Sequence, residues 1–262
     1  MLLSSKKSIL GLVLLGFITV LLTIVVYLPA SWLGAVLEKQ TAGRLSLGDV
    51  QGSFWHGSAF LGVAVDQKSP VTALFPGRFS WKISPKLLLG RIDVEITNEQ
   101  VLSQAVVVQG NFAQWQVSGA SLRLPSERLE GLGAPLNTIG PTGKIVLSWE
   151  PLEMTRDGNR VNAVGNATLE LNEMASRASS IRPLGSYRLV MKLSGERIDM
   201  NLLTIKGPMN LEGSGALAQG RMQFSGKAYA QAGQEERLAN LLNLLGRRRF
   251  EGDKQIIALE YR

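Results

Sequence analysis

The chain has 262 residues, enough for one or two domains with a sizeable core. It carries 28 Lys+Arg against 21 Asp+Glu, one histidine and no cysteine. Disulfide frameworks, thiolate nucleophiles, cysteine-ligated zinc and multi-histidine metal centres are thereby excluded, and any Ser-His-Asp triad would have to pass through His56.

The first element is an uncharged apolar run from Ile9 to Leu28. As an α-helix at 1.5 Å per residue it would cover about 30 Å, the thickness of a bilayer's hydrocarbon core. Lys6 and Lys7 precede it, and Tyr27 and Trp32 sit at its far end. That pattern predicts a retained single-pass anchor over 9–28, a cytoplasmic stub over 1–8, and residues 29–262 on the other side of the membrane. A cleavable signal peptide fits less well, because the run is long and Leu28-Pro29-Ala30 is a poor cleavage site. Two basic residues precede the span, so the remainder holds 26 basic and 21 acidic groups, a net of +5. Apart from Arg247-Arg248-Arg249 these charges are dispersed, which argues against a nucleic-acid partner.

Ala30 to Thr41 follows, with Trp32, Leu33, Val36 and Leu37 forming a helical stripe. From Leu45 onward the period is two. Ile92, Val94 and Ile96 alternate with polar neighbours, as do Ile145, Leu147 and Trp149, then Ala167, Leu169 and Leu171, Tyr187 to Leu193, and Met222 to Ala228. Such runs predict strands with one dry and one wet face in an antiparallel sheet. Frequent Gly and the ten Pro punctuate them. The fold class expected is therefore mainly β: a transmembrane helix followed by a twisted or curled antiparallel sheet with a few short helices. One short helix is predicted from Asn172 to about Ser180. Another runs from Glu235 to Leu245, with its apolar positions at 238, 241, 242 and 245, closed by Gly246 and three Arg. Ile256 to Tyr261 reads as a last strand.

Chemistry is sparse along this chain. His56, in Gly-Ser-Phe-Trp-His-Gly, reads as a turn residue because no orienting acid or nucleophile can be placed beside it. Gly213-Ser214-Gly215-Ala216-Leu217-Ala218 satisfies a loose dinucleotide fingerprint, yet it continues an alternating strand instead of opening a helix. Asn166-Ala167-Thr168 fits a glycosylation sequon inside a strand, and Arg247–Arg249 suits the end of the preceding helix. No catalytic, cofactor-binding or metal-binding residue is expected. Leu211 and Phe224 are placed on the dry face.

Several landmarks stand in a recognisable order. They are Val50-Gln51-Gly52-Ser53-Phe54-Trp55-His56-Gly57, Phe79-Ser80-Trp81, Leu87-Leu88-Leu89-Gly90, Pro183-Leu184-Gly185-Ser186-Tyr187, Gly207-Pro208-Met209-Asn210-Leu211 and the block Leu238 to Gly246. This series resembles the general secretory pathway protein N family of the type II secretion system. The resemblance implies a non-enzymatic, bitopic inner-membrane protein with a periplasmic domain, engaged in protein export through contacts with other type II secretion proteins. A weaker C-terminal likeness to AsmA-like proteins implies an alternative, a lipid-binding or lipid-transfer module with phospholipid as its partner. A carboxylate hydrolase is a third, remoter reading.

Overall fold

A computed structural model describes residues 2–63, 72–126, 136–158, 160–251 and 254–261. Helix α1 (Leu2–Val26) leads through Pro29 into α2 (Ser31–Gln40). The described side chains of α1 begin at Leu10, and its large apolar residues up to Val26 face outward. Among the described residues no helix is long and apolar enough to cross a membrane. This overturns the expected transmembrane helix over 9–28. The inner-membrane location and the cytoplasmic-to-periplasmic topology fall with it.

The alternating runs are strands, and nearly every one pairs antiparallel with a neighbour in sequence. β1 (Leu45–Gly52) pairs with β2 (His56–Val63), and β2 with β3 (Thr72–Ala73) and β4 (Phe79–Ile83). β5 (Arg91–Thr97), β6 (Val106–Asn111) and β7 (Gln114–Val117) continue the ladder. β8 (Ala120–Pro125) prolongs β7 beyond a break at Ser118-Gly119. β10 (Leu152–Asp157) likewise prolongs β9 (Pro141–Trp149) beyond Glu150-Pro151, where proline has no N–H for a ladder bond. Both β9 and β10 lie along the 17-residue β11 (Arg160–Ser176). Then come β12 (Gly185–Gly195), β13 (Arg197–Lys206), β14 (Met209–Ala218) and β15 (Arg221–Ala230). Gln219 and Gly220, both at positive φ, make the two-residue turn that joins the last two, as a hairpin matched to strand twist requires.

The closing step departs from neighbour-to-neighbour order. After β15 the chain forms α4 (Glu235–Leu245), then β16 (Arg247–Glu251) and β17 (Lys254–Tyr261). β17 lies between β15 and β16. The short α3 (Leu136–Ile139) sits near the C-terminal end of β11, where Ser176 Oγ–H donates to the Ile139 carbonyl (2.6 Å).

Register carries one dry face across the whole ladder. Leu171, Tyr187 and Thr204 align in adjacent strands, as do Leu169, Leu189 and Leu202, and Leu211, Ala228 and Ile257. α4 covers part of this face with Leu238, Leu241 and Leu242, while Ile145, Met174, Met209 and Ile257 meet them from the strands. Full burial of such side chains stabilises by about 1.5–3 kcal/mol each. Where a helix is expected at Asn172–Ser180, residues 172–176 form the end of β11 and 177–180 a turn. Glu173 takes φ +52 there, in a bulge that turns Met174 into the core.

The landmark residues around Gly185 and Gly207 meet at the same end. Gly207 has φ +129, and a Cβ on it would fall onto the Gly185 Cα and the Leu184 carbonyl. Met209 N–H donates to the Leu184 carbonyl (3.0 Å), Leu184 N–H to Met174 (2.7 Å), and the buried Tyr187 hydroxyl to the Met209 carbonyl (3.0 Å). Only glycine permits two main chains to approach this closely.

Candidate functional site

Each residue singled out from the sequence has a definite place. His56 opens β2 opposite Lys82 and is exposed, and its main chain is tied to Ser53. Its neighbour Trp55 is what the motif is for. The indole N–H donates to the Val25 carbonyl (2.7 Å), satisfying one of the carbonyls left open at the end of α1, while Phe54 N–H donates to Leu28 (2.7 Å). Trp81 packs where a Cβ on Gly57 would lie and donates to the Phe54 carbonyl (3.1 Å). The Gly-Ser-Phe-Trp-His-Gly segment therefore clamps the α1–α2 junction to the sheet.

Gly213 to Ala218 lie inside β14, so no helix N-terminus meets them. Asn166 of the sequon lies in β11 and donates to Glu150 Oε2 (2.8 Å). Arg247–Arg249 do not close α4, as the sequence suggested; they form β16, and Arg248 turns back to Asn243 Oδ1. Leu211 packs against the core under α4 and Phe224 is half-buried, both on the dry face as expected. Among the described residues no group of three or more His, Asp or Glu could hold a metal ion.

The wet face holds a broad hollow. Ser214 stands directly opposite Ser225, with Asn201 and Glu260 on the strands to either side. Ala216 and Ala258 continue this low floor, and longer side chains rise around it. The result is two adjoining concavities of about 710 and 580 Å³ that share Ser214, Ser225 and Glu260. Three cations (Arg197, Lys227, Arg249) and three carboxylates (Asp199, Glu212, Glu260) line them, so the trough is neutral overall. Arg197 Nε pairs with Asp199 (2.7 Å) and Arg249 Nη1 with Glu260 (2.9 Å), while Tyr229 O–H donates to Glu212 (2.7 Å). Alternation alone could mark Ser214 and Ser225 as wet, but only cross-strand register makes them a floor.

A second feature is the edge of the ladder. β16 pairs with β17, and no strand lies on its other side among the described residues. It carries Phe250 at 78% exposure. The opposite edge is guarded differently. β1 bulges between Gly48 and Gln51, Asp49 has φ +48, and Arg78 reaches over from the β3–β4 connection to bind both the Asp49 carboxylate and its main-chain carbonyl. The Arg78 guanidinium holds the Asp49 carboxyl below its usual range, with Gln51 assisting. A bulge of this kind spoils the flat row of donors and acceptors that strand addition requires.

The family model described as type II secretion system, protein N matches residues 43–256, and the chain belongs to that family. No curated protein and no solved structure gives a significant match. The chain is thus a β-rich domain of the type II secretion system, associated with other proteins of that system.

Proposed function

We propose that this domain serves type II secretion by holding an extended segment of another secretion component along the open edge of β16. The observation that carries this reading is the asymmetry of the two edges. β1 is bulged and strapped by Arg78, whereas β16 keeps a regular five-pair register with β17 and leaves Phe250 in solvent. A regular terminal strand supplies main-chain donors and acceptors for an added strand, and alternate side chains supply selectivity. Arg249 on the wet side and Phe250 on the dry side would give an incoming strand one charged and one apolar neighbour.

The test is photo-crosslinking in cells from a probe at Phe250, compared with one at Val161, an exposed residue at the far end of β11. The expected result is a discrete adduct with a type II secretion protein from position 250 alone, weakened by Arg249→Pro. Equal labelling from both positions, or no protein adduct at 250, would refute the edge as the docking site.

A further inference from the structure

The trough on the wet face meets the β16 edge only at Arg249, and its lining selects a ligand by elimination. Its six charges balance, so it offers no field to attract a nucleic acid or another polyanion. Arg197 and Arg249 are already paired with Asp199 and Glu260, so a small anion would have to displace a carboxylate from either. The floor is Ser214, Ser225, Ala216 and Ala258, and the apolar side chains of the lining, Leu203 and Ile256 among them, share it with six charged groups, too divided a surface to bury an acyl chain. A peptide fits poorly for a different reason. On the face of a sheet the main-chain groups are already spent within the ladder, so a bound peptide's own N–H and C=O groups would lack main-chain partners.

What remains available is side-chain hydrogen-bonding capacity. An ionised carboxylate has about four lone-pair sites and a guanidinium five donors, so each pair at the rim keeps donors and acceptors beyond the bond it already makes. The two serine hydroxyls and Asn201 add groups that both donate and accept. A ligand that meets such a surface is uncharged, elongated and covered in hydroxyls.

We infer that the trough formed by β13, β14, β15 and β17 is a binding site for a neutral oligosaccharide chain, laid across the Ser214–Ser225 floor between the Arg197–Asp199 and Arg249–Glu260 pairs. The two adjoining hollows give room for several sugar rings in line. Because the rim charges neutralise each other, binding should be nearly insensitive to salt, unlike any mode that relies on net charge.

The experiment is calorimetric titration of the full chain with maltohexaose, cellohexaose and chitohexaose, neutral hexamers that differ in linkage and substituent. Saturable binding of at least one is expected, unchanged by raising the salt. Ser214→Tyr and Ser225→Tyr fill the floor from opposite strands, and each should weaken that binding by at least about tenfold, the effect of losing roughly 1.4 kcal/mol. Their thermal unfolding transitions, recorded alongside, identify the variants that are folded. Failure of all three sugars to bind, or undiminished binding by either folded variant, would overturn the assignment. Salt-sensitive binding would do so as well. The Phe250 crosslink lies outside the trough and should survive both substitutions, so failure here is distinguishable from failure at the edge.

Discussion

The two ends of the sheet are fastened by different forces. At the C-terminal end α4 presses Leu238, Leu241 and Leu242 onto strands that answer with Ile145, Met209 and Ile257. At the N-terminal end α2 lies on β1 with only Gly34 buried, and two residues of its apolar stripe, Trp32 and Val36, stay in solvent. There the chain is held by named hydrogen bonds: Trp55 to Val25, Phe54 to Leu28, Ala30 N–H to the Gly52 carbonyl. Apolar burial contributes free energy in proportion to area and has little directionality, whereas a hydrogen bond contributes about 1 kcal/mol net and fixes an angle. One end is built for stability and the other for orientation.

Substitutions can break that contrast in graded steps. The largest effect is expected at Leu238, which is 0% exposed. Leu238→Ala should cost about 2–5 kcal/mol in urea unfolding through lost burial and a residual cavity. Gly207→Ala should cost about 1–3 kcal/mol by placing a side chain at φ +129 against Gly185, read as a lowered thermal midpoint. Trp55→Phe keeps the ring and removes the donor to Val25. A loss of about 1 kcal/mol is expected, and amide exchange should quicken around residues 25–30 while α4 stays protected. Equal quickening in α4 would show the two ends to be one cooperative unit.

The smallest effect sharpens the comparison through pH. Burial raises the Tyr187 hydroxyl well above its ordinary pKa of 10.0. The unfolded chain would therefore release this proton first, so the share of stability from Tyr187 is intact below about pH 10 and lost as pH climbs toward the folded-state value. Tyr187→Phe should cost about 1 kcal/mol at neutral pH by removing the bond to Met209. Its stability should then fall less steeply in alkali than that of the parent.

The strand pattern and α4 were legible because each follows a local period that a half-buried surface imposes on the sequence. Residues 238, 241, 242 and 245 predict the helix and do pack under it. Where the reading failed, the deciding force was not local. Asn172 to Ser180 has good helix formers, but pairing with β9 and β12 holds it extended as far as Ser176, and the bulge at Glu173 serves the core. Arg247–Arg249 suit a helix C-terminus, yet β17 takes them as an edge strand. The apolar run at 9–28 read as a membrane span in the sequence, whereas among the described residues no helix is long and apolar enough to cross a membrane. The trough was invisible for a related reason: Ser214 and Ser225 are eleven positions apart, and only the two-residue turn at Gln219-Gly220 sets them face to face.

The position of β17 also has a kinetic meaning. Hairpins between consecutive strands close short loops, so the ladder up to β15 can form quickly by successive local steps. β15, however, finds its outer partner only after α4 and β16 have been passed. Until then Phe224 to Ala228 is an unpaired sheet margin beside an uncovered apolar surface, the kind of intermediate from which chains associate wrongly. Docking of α4 and insertion of β17 would remove both hazards in one event. Refolding yield should therefore depend on protein concentration chiefly through the lifetime of that single gap.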